Sequence, residues 1–201
     1  LSSTQIGYLE TTDVAFLSSS QVQALTTSNV AGLSSAQLNR LATSAIAGFE
    51  TADLAQLTTT QALGLNTAQI PVLTSTQLGA LSTNVIGSFS SGQLIAVSTD
   101  NVRGLTTGQI AAISTSVIAQ FETVDLSVLS DTQVSAFTTA QIEQFLDLSW
   151  YASVGSLTTT QIRGLRTGVI QNLTTSQLAS FTTDSILGLS SSQLQVIAPA
   201  K

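Results

Sequence analysis

The chain has 201 residues, 43% of them hydrophobic, but only 8% are charged, against about 25% in ordinary soluble proteins. Its five basic residues and net charge of −6 argue against a nucleic-acid partner, because such proteins need Lys and Arg to displace counterions from phosphates. It holds no Cys and no His, which excludes disulfides, thiolate chemistry, His-based catalysis and the commonest metal ligand.

An eight-residue pattern repeats without a slip over residues 1–144, which gives eighteen consecutive octads. The pattern stops at 145–156 and resumes over 157–201 as five more octads and a short tail. A unit this short cannot bury its apolar face alone, so neighbouring units must stack. We therefore expect one continuous repeat domain: a regular solenoid, an irregular break, and the same solenoid continued.

Each octad carries the same arrangement of residue types, labelled here a to h with Leu1 at position a. Position a is always apolar, and position c is Ser or Thr except at Asp131. Position f is Ile, Leu or Val except at Ala62, and position e is most often Gln. A continuous helix is excluded because a period of eight drifts by about 80° per repeat. A simple strand is excluded because positions a and f have opposite parity.

Very short helices fit the pattern best. Ser/Thr-x-x-Gln from b to e is a capping box, and the apolar residues at a and f occupy the positions of a hydrophobic staple. The greater constancy of position c leaves the cap undecided between b and c. A mild alternation at position e suggests two octads per turn. We predict an all-α solenoid with one short helix per octad and two octads per turn. The alternative is a β-solenoid, since Thr, Ile and Val favour strands.

The motif L-[ST]-T-x-Q-[IVL]-x-[AG], as in LTTGQIAA at 105–112, resembles octapeptide arrays of very large proteobacterial surface or secreted proteins, many of them adhesin-like. The resemblance covers nearly the whole chain. It implies export and a structural or adhesive role outside the cell. No cofactor is expected, and for haem only Tyr8 and Tyr151 offer an axial ligand.

Three acidic pairs share the string E-T-x-D at positions b to e: Glu10 and Asp13, Glu50 and Asp53, Glu122 and Asp125. Oxygen ligands of this kind bind Ca²⁺, but each pair lacks the further ligands that Ca²⁺ needs. We therefore expect no metal site and interpret the pairs as acidic groups at helix N-termini, where the helix dipole favours them. No combination of side chains indicates catalysis, so we expect no enzyme.

The leading functional hypothesis is a structural rod or filament, as in an adhesin stalk, surface layer or fibre, located outside the cell or on its surface. Its partner would be the repeat itself, either as a head-to-tail homo-oligomer or as flanking repeats. The alternative is a binding module that recognises a peptide or glycan around Trp150 and Tyr151, which lie in the break. No apolar run approaches the ~20 residues of a membrane helix, so membrane insertion is not expected.

Overall fold

The computed structural model of the protein describes residues 2–121, 123–138, 140, 141, 144 and 157–197. Over these residues the chain is a succession of short helices without a strand. This confirms the predicted all-α solenoid of short helices; the β-solenoid alternative is not observed there. The α-helices have four to seven residues, and two octads carry a 3-10 helix instead.

The described helices follow one another at the octad spacing, in this order: α1 Ser3–Gly7, α2 Thr11–Val14, α3 Ser19–Gln23, α4 Thr27–Val30, α5 Ser35–Arg40, α6 Thr43–Ile46, α7 Thr51–Leu54, α8 Thr59–Ala62, η1 Ile70–Val72, α9 Ser75–Ala80, α10 Thr83–Gly87, α11 Ser91–Ile95, η2 Val102–Gly104, α12 Thr107–Ala112, α13 Thr115–Ile118, α14 Thr123–Val128, α15 Asp131–Val134, α16 Thr159–Gly164, α17 Thr167–Asn172, α18 Thr175–Ala179, α19 Thr183–Gly188 and α20 Ser191–Ile197.

The N-cap is position b wherever the start of an α-helix is described, which decides between the two predicted cap positions. In α12 the Gln109 N–H donates to Thr106 Oγ1 (3.2 Å), and the Thr106 N–H donates to Gln109 Oε1 (2.7 Å). This is the predicted capping box. At four N-caps the residue gives no side-chain cap, and the helix starts without one: Glu10, Ala42, Glu50 and Arg166.

The core consists of the side chains at positions a and f. In one octad Leu105 is 3% exposed and Ile110 is fully buried, and the same two positions are buried through most of the described chain. Position a follows the end of each helix in an extended or nearly extended conformation, as at Leu105 (ψ 129°). The chain bends there, so within each unit the apolar sides of the described octads turn toward the interior.

The predicted two octads per turn are wrong, because the helices that pack together are three octads apart. Examples are α2 on α5, α3 on α6, and α16 on α19. Each octad therefore turns the chain through between a third and a quarter of a circle. The alternation at position e reflects which side chains fill the space between turns, and it says nothing about where a turn closes.

By internal packing the chain divides into two compact units, Leu1–Ile113 and Ser114–Lys201, called here unit 1 and unit 2. Every contact described below lies within one of them. The predicted break at 145–156 lies outside the described residues, so the predicted domain division stays a prediction.

Glycine at position h marks places where successive turns approach most closely. A Cβ added at Gly32 would overlap the backbone of Ser3, and one added at Gly104 would overlap that of Ser75. In both cases the neighbour is the position c residue three octads earlier. Because the backbone itself is the obstacle, a side chain at these positions would push the turns apart.

Candidate functional site

A buried glutamine side chain connects each turn of the solenoid to the one before it. Gln109 is 1% exposed, and its Oε1 accepts the Thr106 N–H of its own helix. Its Nε2 donates to carbonyls of the preceding turn, those of Leu78 (3.2 Å), Gly79 (3.2 Å) and Leu81 (2.6 Å). One side chain therefore both caps its helix and bonds two turns together.

The same arrangement recurs along both units, and we call it the glutamine ladder. Gln37, for example, donates to the carbonyls of Ile6 (2.9 Å) and Leu9 (2.8 Å), which lie 31 and 28 residues earlier. These two separations fall between three and four octads. The other ladder glutamines that donate to the preceding turn are Gln61, Gln69, Gln77, Gln93, Gln161 and Gln193.

The octad pattern predicts these glutamines only as capping partners and does not predict their role between turns. A primary amide has two donors and an acceptor, while the capping box uses only the acceptor. A buried amide needs acceptors for its two N–H groups as well. That requirement is the signal in the sequence that points to the ladder. The acceptors themselves are 28 to 31 residues away, a distance that depends on the number of octads per turn.

Several buried position e residues are shorter than Gln, and two of them, Asn101 and Asp53, have a buried polar atom without a hydrogen-bond partner. Asn101 is 2% exposed, and its Nδ2 donates to the carbonyls of Ile70 (3.0 Å) and Leu73 (3.3 Å). Asp53 is 3% exposed, and its Oδ2 is buried without a hydrogen-bond partner. Burial raises the pKa of the Asp53 carboxyl above its usual value; a hydrogen bond from the Glu50 backbone N–H opposes this, and the Glu50 charge adds to it.

At the N-terminal edge of unit 1 the ladder residues are exposed. Gln5 and Gln21 are exposed there, although each still accepts its N-cap N–H at 2.8 Å. Beside them lies an apolar hollow of about 290 Å³. Its lining residues are Ile6, Leu9, Leu17, Gln21, Ala24, Leu25 and Asn29. We call these exposed amides and the hollow the leading edge.

A second hollow of about 280 Å³ lies on the side of unit 1, between Phe16 and Arg40. Phe16 is 88% exposed, and the remaining lining residues are Thr11, Thr12 and Ala15. The hollow is open to solvent, and its lining contains one cationic side chain, Arg40, and no carboxylate. Nothing in its lining provides a general acid or a general base.

The predicted acidic pairs lie at helix starts where the structure describes them. Glu10 and Glu50 are exposed N-cap residues, Asp13 is exposed in the first turn of α2, and Asp53 is buried in the first turn of α7. Asp125 is buried in α14, while Glu122 lies outside the described residues. In the part of the chain that the structure covers, no three acidic side chains group as metal ligands.

The predicted binding residues Trp150 and Tyr151 also lie outside the described residues, and the hypothesis built on them stays a prediction. Tyr8 is 83% exposed at position h of the first octad. Within the described ranges none of the helices is both long enough and apolar enough to cross a membrane.

Comparison with known proteins identifies the chain as a repeat array. A family model, the ALTTAQ repeat, matches residues 6–43 and again residues 46–83. The two matches begin forty residues apart, which is five octads, so they fall in the same register. No curated protein matches the chain. The N-terminal part of this protein is thus similar to the ALTTAQ repeat, in the region that contains most of the leading edge and the first ladder glutamines.

Proposed function

We propose that this protein is a structural repeat protein, a rod segment that lengthens into a rod or filament by stacking octads on its ends. The observation that carries the proposal is the leading edge. There the amides of Gln5 and Gln21 and the apolar hollow are exposed, although the same surfaces are buried one turn further along. An exposed surface built like an interior contact is suited to bind another copy of that interior.

The last turn of unit 2 has the complementary chemistry. In the last turn of unit 2, the carbonyls of Leu178 and Phe181 are at ladder positions f and a, and they receive no glutamine amide from the described residues. One edge therefore offers amide donors and the other offers carbonyl acceptors. We propose that the occupant of the leading edge is the last turn of a second copy of this chain. Such head-to-tail contacts are heterologous and do not close on themselves unless they form a ring.

Sedimentation velocity over a range of concentrations, together with electron microscopy, tests this assembly. We expect oligomers that grow with concentration and appear as filaments. Replacing both leading-edge amides, Gln5→Glu with Gln21→Glu, should suppress the oligomers, because a carboxylate cannot donate to the facing carbonyls. The matched control is Gln23→Glu with Gln56→Glu, two exposed glutamines away from position e, which adds the same charge. A monodisperse monomer at high concentration would refute the proposal.

We further propose that the protein acts outside the cell or on the cell surface, and that its role requires no catalysis. The support is chemical: the surface is rich in Ser, Thr, Gln and Asn, only 8% of residues are charged, and Cys is absent. Immunogold labelling of intact cells with an antibody to the folded protein is the direct test. Labelling confined to the cytoplasm would contradict the proposed location.

A further inference from the structure

Asp53 occupies a ladder position where a donor is needed, and the charged form of its side chain has none. By the ladder spacing of 31 and 28 residues, the facing carbonyls are those of Val22 and Leu25. In the next octad Gln61 holds the carbonyls of Val30 (2.9 Å) and Leu33 (2.8 Å) in this way. A carboxylate at the same place would point an oxygen at two other oxygens.

The two oxygens of the Asp53 carboxyl group lie in different surroundings. The Glu50 backbone N–H favours the charged form of the carboxyl and so lowers its pKa, and the corresponding N–H donates to the Oε1 of a ladder glutamine. Oδ2 is buried and without a partner, at the place that corresponds to the glutamine Nε2. Asn101 has the shape of Asp, and its Nδ2 reaches two carbonyls of the preceding turn. A side chain of this length therefore reaches the facing carbonyls, although the Asn101 Oδ1 itself has no hydrogen-bond partner.

The surroundings provide no cation to balance a negative charge. The helices that pack on α7 are α4 (Thr27–Val30) and α9 (Ser75–Ala80), and neither contains a titratable residue. The segment from Val22 to Leu25 contains none either. The titratable group that acts on Asp53 is Glu50, whose negative charge opposes ionisation.

We propose that Asp53 is protonated in folded unit 1 and that its carboxyl O–H donates to the carbonyl of Val22 or Leu25. The proton then replaces the amide hydrogen of the ladder glutamines and bonds α7 to the preceding turn. Loss of the proton removes this bond and leaves a buried charge facing carbonyl oxygens. Asp53 makes the stability of unit 1 sensitive to pH at a single step of the ladder.

The direction of the pH effect follows from linkage. Because folding raises the pKa of Asp53, the folded state holds this proton more tightly than the unfolded state does. The stabilisation by this group is complete below the ordinary Asp pKa of about 3.9. It is lost as the pH rises through the higher folded-state value, and it does not return above it. Other acidic groups titrate too, so the contribution of Asp53 is measured as a difference between variants.

The test is Asp53→Asn in the full chain, with thermal unfolding at a series of pH values from 3 to 8. The amide has a permanent donor, so the variant should match the parent near pH 3 and exceed its Tm by about 2–8 °C at pH 7. Asp100→Asn is the control, since Asp100 is an exposed acidic residue of the same unit that lies away from position e; it should shift Tm little at any pH.

A second measurement observes the proton directly. The Asp53 side-chain carboxyl carbon, followed by NMR during a pH titration, should change with a midpoint above about 3.9. A midpoint at or below that value would overturn the proposal. So would an Asp53→Asn variant that is less stable than the parent at pH 7, or one whose Tm difference from the parent stays constant with pH.

Discussion

The side chain at position e determines how one turn attaches to the next, and its chemistry explains why Gln is the commonest residue there. The buried site offers one N–H, from position b, and two carbonyls of the preceding turn. A primary amide matches this set with one acceptor and two donors. An aliphatic side chain would leave all three groups without this partner, and a carboxylate would satisfy only the N–H. Asn101 reaches the carbonyls, but its Oδ1 is left buried without a partner.

Removing a ladder glutamine should therefore cost more than removing the same residue at the leading edge. Gln109→Ala deletes the cap acceptor and the bonds to the carbonyls of Leu78, Gly79 and Leu81, whereas Gln21→Ala deletes only bonds to its own N-cap, Ser18. We expect Gln109→Ala to lower the free energy of unfolding by about 1–3 kcal/mol more than Gln21→Ala does, because buried carbonyls lose a donor. Urea denaturation at low protein concentration measures both. Equal losses would show that the bonds between turns contribute nothing net.

At the scale of the single helix, stability depends on the cap and on neighbouring octads. A helix of four to seven residues is not stable in water by itself, since nucleation costs more than so few hydrogen bonds return. The cap supplies a bond at the N-terminus, and burial of positions a and f supplies the rest. Octads that lack a capping side chain, such as the one that begins at Leu41, depend on packing alone.

Two cap substitutions with opposite expected effects test this account. Ala42 is exposed at the N-cap of α6 and gives no cap bond, so Ala42→Ser should raise the free energy of unfolding by about 0.5–1 kcal/mol. Thr106 caps α12, so Thr106→Ala should lower it by about 1 kcal/mol. Both are measured by chemical denaturation. A stabilising Thr106→Ala would contradict the assignment of the cap to position b.

The sequence predicts the helix of each octad well because the signals for it are local. Ser or Thr at b, Gln at e and apolar residues at a and f lie within eight residues, and together they specify a capped helix with one buried side. The number of octads per turn is not local. It depends on the angle between successive helices at the extended residues that join them, such as Leu105, and side-chain types at those positions do not encode that angle. The partners of the ladder glutamines follow from the same number, so they could not be assigned either.

At the scale of the whole repeat array, the sixteen-residue alternation has a structural meaning that differs from the predicted one. Within unit 1 the glycines of alternate octads, Gly32, Gly48 and Gly64, each pack on the backbone of a serine three octads earlier, namely Ser3, Ser19 and Ser35. The closest contact between turns therefore joins the same two residue types, Gly and Ser, every two octads. A change in length that respects this pairing should leave the packing of the turns intact.

Deletion of residues 25–40, which are two whole octads, is the corresponding prediction. It places Gly48 against Ser3 and Gly64 against Ser19, so each close contact again joins a glycine to a serine. The ladder also re-forms, because Gln61 then faces the carbonyls of Val14 and Leu17 at the same positions f and a. We expect a cooperative thermal transition and unchanged helix content per residue by circular dichroism, with a lower Tm because less apolar surface is buried.

Deletion of residues 25–36 is the matched comparison, since it removes twelve residues and shifts the register by half an octad. Gln37, at position e, then follows Ala24, at position h, directly, so the four-residue remnant of that octad lacks both its buried position a residue and its N-cap. Repeat stability is a sum of unit and neighbour terms, and this junction removes both at once. We expect the shorter deletion to be the more damaging, with loss of helical signal or a broad, non-cooperative transition. If the two deletions behaved alike, the octad register would not be what holds the turns together.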